Sequence, residues 1–161
     1  MSPDLDNKLC ADFPELFRNR HSCMRTTAMV WGFACGDGWE RLIRELAEQL
    51  TFLTKVSGVR FIAFQVKEKF GTLRFYYETE CNENPSPDAV IALSLAGAAE
   101  AAAENRSAHT CEQCGAHGRT RNRGWVRTLC AQHAYEQKYP LHGWEAEAIG
   151  VTDHVPQKDT E

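Results

Sequence analysis

The sequence predicts an α+β fold: a helix packed on an antiparallel β-hairpin, a second, alanine-rich helix, and a small C-terminal module built on paired cysteines. Three observations carry this expectation. Apolar residues recur at helical spacing from Trp39 to Leu53. Two runs rich in β-branched and aromatic residues, Val59 to Val66 and Thr72 to Glu78, flank a short glycine-containing loop. Near the C-terminus, Cys111 with Cys114 and Cys130 with His133 form two pairs, each with two residues between its members.

A chain of 161 residues holds one ordinary core and at most a small satellite module. A net charge of −4 and a pI near 5.9 argue against a nucleic-acid coat or a cationic membrane protein. No apolar run is long enough to span a bilayer, so no membrane association is expected. The N-terminus is acidic and lacks the basic head and apolar run of a secretory signal. Seven cysteines, an odd number, suit a reducing and therefore cytoplasmic setting better than a disulfide framework. Cys10, Cys23, Cys35 and Cys81 then read as ordinary thiols.

Taken in order, Phe13 to Phe17 reads as the start of a short helix, with Pro14 in its first turn. His21 to Gly36 reads as loop with buried aromatic anchors. Asp37 and Glu40 have the spacing of a capping box ahead of the amphipathic helix, and Gly58 supplies its left-handed stop. In the hairpin, strict alternation puts Ile62, Phe64 and Val66 on one face together with Leu73, Phe75 and Tyr77. The predicted core is Trp39, Leu42, Leu46, Leu50, Ile62, Phe64, Leu73 and Phe75. A polar break from Glu78 to Pro87 precedes the alanine-rich helix, expected from about Pro87 to Asn105 with Val90, Leu93 and either Ala96 or Gly97 on its packed side. These elements divide the chain into a core at 1–84, a connecting helix at 85–108, a finger at 109–140 and a tail at 141–161. Leu141, Trp144 and Ile149 are the tail's candidate anchors, and 152–161 is expected to fray.

Three thiolates and an imidazole at this spacing are the donors a tetrahedral Zn2+ prefers, and four protein donors leave no open coordination position. Cys111, Cys114, Cys130 and His133 are the expected ligands. Gly115 lets backbone amides turn toward the sulfurs, a hairpin follows around Asn122 to Gly124, and Ala131 to Tyr135 opens a helix. Knuckle, hairpin and helix together make a treble-clef-like zinc finger. Arg119, Arg121, Arg123 and Arg127, with Trp125 among them, lie in or beside that hairpin. Alternate residues point the same way on a strand, so Arg119, Arg121 and Arg123 are expected to form a cationic ridge for a partner.

Three blocks of the chain resemble a family of small zinc-finger proteins of bacteria and their phages. They are Phe33 to Trp39 (FACGDGW), Gln65 to Tyr76 (QVKEKFGTLRFY), and Cys111 to Gly115 followed by Trp125 to His133. The resemblance spans residues 31 to 135 and implies an accessory, phage- or prophage-type context. It carries over no catalytic residues. The expectation is a non-enzymatic, zinc-stabilised protein that binds, and can inhibit, a host macromolecular complex such as a defence system. A protein partner is favoured by the acidic chain and the short ridge. The alternative is a nucleic-acid-binding finger or a degenerate HNH-like nuclease, in which His117 would have to serve without an acidic neighbour.

Overall fold

A computed structural model describes residues 1–151; the predicted fray at 152–161 lies outside the described residues. The architecture is mixed α and β, in two adjoining hydrophobic clusters. Helix α1 covers Pro3–Asp12, strand β1 Phe33–Ala34, helix α2 Glu40–Ser57, β2 Arg60–Lys69, β3 Thr72–Glu80 and α3 Pro87–Ser107. The second cluster follows: β4 Arg119–Asn122, β5 Val126–Leu129, α4 Ala131–Glu136 and α5 Gly143–Ala148. No helix among the described residues is long and apolar enough to cross a membrane.

Helix α2 follows the predicted stripe. Leu42, Ile43, Leu46, Ala47, Leu50 and Leu53 are buried along it, and Gly58 ends it at φ 75°, its amide donating to Thr54 O at 2.9 Å. The capping box does not form. Asp37 sits in a 3-10 turn before the helix and accepts the Ser2 amide at 2.6 Å, while Glu40 pairs with Arg44 at 2.7 Å. The first helix is α1, upstream of the expected one: Pro3 takes the first-turn position with Asp4 and Asp6 behind it, and Phe13 to Phe17 forms turns.

The sheet has the order β1-β2-β3, with β1 parallel to β2 and β2 antiparallel to β3. The pairing register shifts between Ala63 and Gln65, which makes Phe64 the extra residue of a bulge. Side-chain alternation therefore switches inside β2. Phe61 and Ala63, not Ile62 and Phe64, join Val66, Leu73 and Phe75 in the main core. Phe64 is half-buried and stacks on Tyr76 at 5.8 Å, and Ile62 is buried outside that cluster. The two-residue tip, Phe70 and Gly71, has φ of 55° and 78°. Left-handed backbone suits Gly71 but costs a bulky residue such as Phe70 on the order of 1–2 kcal/mol.

Ser86 caps α3, accepting the Ala89 amide at 3.2 Å. Ala89, Ala92, Ala96 and Ala103 bring α3 close against α2 and β3, with Leu93 partly buried beside them. Val90, expected on that side, is exposed. At the far end, the buried Ser107 hydroxyl accepts the Leu73 amide at 2.8 Å, fixing where α3 delivers the chain to the second cluster.

Leu46 is 1 % exposed at the centre of the α2 stripe. Leu46→Ala should lower unfolding free energy by about 2–5 kcal/mol in denaturant titration, the usual result of emptying a buried leucine site.

Candidate metal centre

The second cluster begins where α3 ends. Cys111 opens a tight turn in which the Gly115 amide donates to Cys111 O at 2.8 Å, and Gly115 has φ 77°. β4 and β5 pair antiparallel from Arg119 opposite Leu129 to Asn122 opposite Val126. Cys130 then precedes α4, which carries His133. The side chains of Cys111, Cys114, Cys130 and His133 converge with their ligand atoms all within 4.8 Å of one another. Cys114 Sγ lies 3.9 Å from Cys130 Sγ, far beyond the roughly 2.05 Å of a disulfide, and every cysteine is free. His133 turns Nδ1 to the sulfurs, 3.2 Å from Cys130 and 3.5 Å from Cys111, and leaves Nε2 4.0 Å from Glu136. Such a group could hold a metal ion.

The thiols of the group do not ionise equally. Burial raises the Cys111 thiol, but the amides of Cys130, Cys114 and Gln113 aimed at its sulfur outweigh that and leave it below its ordinary value. Cys130 moves the other way, to about 11: burial raises it, the His133 amide opposes, and negative charge on Cys111 and Cys114 adds to the rise. A second thiolate is thus disfavoured beside the first unless a positive ion compensates them.

The knuckle is clamped from outside by the segment Cys35 to Trp39. Gly38 N donates to Glu112 O at 2.8 Å, Gly36 N donates to Glu112 Oε1 at 2.9 Å, and Trp39 Nε1 donates to Thr110 O at 2.7 Å. A β-carbon on Gly38 would stand 2.6 Å from Cys114 N and closer still to Cys111 O. Only glycine permits this backbone-to-backbone approach. The β2–β3 tip makes a second clamp, with Thr128 Oγ1 donating to Gly71 O at 2.6 Å.

The arginines are not arranged as the expected ridge. Arg121 is 5 % exposed, since strand β4 turns it inward onto Glu145 of α5, with Nη1 3.0 Å from Glu145 Oε2 and 2.7 Å from Pro140 O. Arg119 lies 3.4 Å from the same carboxylate. Arg127 binds Glu112 Oε2 at 2.9 Å and Gln137 at 3.0 Å, and Arg123 reaches Gln137 O at 3.3 Å. Trp125 stands out at the hairpin turn, 67 % exposed.

Two acidic residues with a role here were not singled out from the sequence. Glu112, between the first two cysteines, is buried and joins Gly36 to Arg127. Glu145 is buried in the tail, where it also accepts the His142 amide at 2.8 Å. Leu141 and Ile149 anchor that tail in the second cluster as expected; Trp144 is exposed and stacks on His142. No protein-family model, curated protein or solved structure matches this chain.

Two substitutions test this construction. Gly38→Ala should lower the melting temperature and loosen the knuckle, because the added carbon has no room against peptide backbone. Arg121→Ala should cost roughly 3–5 kcal/mol, the usual range when a buried ion pair loses one partner. An unchanged denaturation midpoint in Arg121→Ala would contradict the buried pair.

Proposed function

We propose that Cys111, Cys114, Cys130 and His133 hold one structural Zn2+ in a treble-clef-like finger, and that the chain is a non-enzymatic interaction protein with a protein partner. The observation that carries this reading is the spacing of the donors. With Zn–S near 2.3 Å and Zn–N near 2.0–2.1 Å, two ligands of a tetrahedral zinc stand about 3.5–3.8 Å apart. Three of the six separations, 3.9, 3.5 and 3.2 Å, fall around those values, and all six lie within 4.8 Å. Thiolate-rich donors also favour zinc over the oxygen-seeking magnesium and calcium.

Four protein donors close the coordination sphere, which favours a structural ion over one that activates water. When bound, zinc would supply the positive charge that lets the thiolates coexist. The chain's own residues then set the geometry: the amides of Cys130, Cys114 and Gln113 orient Cys111, and Glu136 lies beside the outer nitrogen of His133. A nuclease reading would rest on His117, which lies exposed in an isolated bridge with Thr110 ahead of β4. A phosphate-binding reading needs uncommitted cations, and Arg121 and Arg127 are paired with buried carboxylates. A reducing, cytoplasmic setting suits a chain whose cysteines form no disulfide.

Elemental analysis of purified protein should find close to one zinc per chain. Cys114→Ser should lose the metal together with most near-UV signal from the finger, since structural zinc supplies folding free energy. Metal-free wild type with an unaltered fold would overturn the assignment.

A further inference from the structure

The two hairpins that clamp each other leave a cleft between their tips. Lys67 to Phe70 form one wall and Gly124 to Val126 the other, around about 470 Å3. Phe70 and Trp125, 69 % and 67 % exposed, face solvent at its two sides. Phe70 holds left-handed backbone at φ 55°, where asparagine or glycine would sit with less strain. Its ring gains little burial in return. An exposed aromatic kept on strained backbone, opposite an exposed tryptophan, fits selection for contact rather than for folding.

The charges beside the cleft are sorted. Glu68 is committed to the turn, accepting the Gly71 amide at 2.6 Å. Lys67 lays its ammonium 5.5 Å over the Tyr76 ring, and Lys69 lies 5.3 Å over Phe70. On the finger side, Arg127 is neutralised by Glu112. Two lysines against the single Glu68 carboxylate leave the Lys67 to Phe70 wall net positive beside an apolar slot, on a chain that is acidic as a whole. Two lysines are few for tracking a phosphate backbone, which needs a row of cations. They match carboxylates running along one side of an apolar anchor.

We propose that this cleft is the partner-binding site, and that its occupant is an acidic segment of another protein. One aromatic or large aliphatic side chain of that segment enters between Phe70 and Trp125, and flanking Asp or Glu residues meet Lys67 and Lys69. This rests on the reading of the chain as a zinc-stabilised interaction protein, because the clamped finger is what holds Trp125 opposite Phe70. Hot-spot aromatics ringed by polar contacts are the usual anatomy of such interfaces.

The test uses full-length protein and fluorescent 15-residue peptides with a central Trp, Phe or Leu flanked by Asp and Glu. Matched Lys-flanked peptides and a 15-nucleotide oligo-dT serve as the other arms. The acidic peptides should bind, read by anisotropy, and Trp125→Ala should weaken binding on the order of thirtyfold, as at a hot spot. Phe70→Asn is the decisive variant. It relieves the backbone while removing the ring, so binding should fall comparably while the melting temperature holds or rises. Lys67→Glu with Lys69→Glu should abolish the preference for acidic peptides. No binding by any acidic peptide, full binding by Phe70→Asn, or tighter binding of oligo-dT or Lys-flanked peptides would each overturn the proposal. Zinc content measured on the same samples separates the two readings: peptide binding by metal-free wild type would sink the zinc assignment and leave the cleft standing.

Discussion

The rest of the structure depends on one close approach, peptide backbone of Gly36 to Gly38 against peptide backbone of Cys111 to Gly115. Backbone donors and acceptors buried in such a contact must find partners, and here they find each other: Gly38 N with Glu112 O, and Gly36 N with the Glu112 carboxylate. Absence of a side chain at Gly38 sets the distance between the two clusters. Trp39 reads out that distance on the other side, since its fully buried ring belongs to the main core while its indole N–H reaches Thr110 O. The four candidate donors therefore sit on a knuckle that the N-terminal half of the chain grips directly.

The segments Phe33 to Trp39, Gln65 to Tyr76 and Cys111 to His133 are neighbours in space. The Gly36 to Trp39 segment holds the knuckle, Gly71 at the hairpin tip accepts from Thr128 of β5, and Glu112 links the first segment to Arg127. Apart from the Glu112–Arg127 ion pair, each of these contacts ends on a backbone atom. Small changes there act through geometry, not through lost apolar area. Glu145 ties the tail to β4 by holding Arg121, so Leu141, Ala146 and Ile149 pack in the second cluster.

Much of this was legible in the sequence, for identifiable reasons. The α2 stripe, the Gly58 stop, the hairpin and the convergence of Cys111, Cys114, Cys130 and His133 follow from local spacing, which the chain writes plainly. Long-range hydrogen bonds were not legible. Asp37 has the sequence signature of a cap, but the Ser2 amide competes for its carboxylate. One extra residue at Phe64 reverses the strand's faces, and nothing in the alternation of apolar residues marks it. The arginine ridge failed for a related reason: period-two alternation sets which side of β4 Arg121 takes, not whether Glu145 waits there, 24 residues on. The two-residue strand β1 is too short to show any period at all.

The central claim is that a metal-held knuckle and the Gly36 to Trp39 segment form one cooperative unit. Amide hydrogen exchange on the full chain, before and after removal of bound metal with a chelator, tests this most directly. Exchange protection should collapse at Cys111, Gly115 and Gly118, and with them at Gly38 and the Trp39 indole, while amides in the middle of α2 and in β2 stay protected. If chelation frees the finger amides but leaves Gly38 and the Trp39 indole fully protected, the two segments are not coupled and the account is wrong.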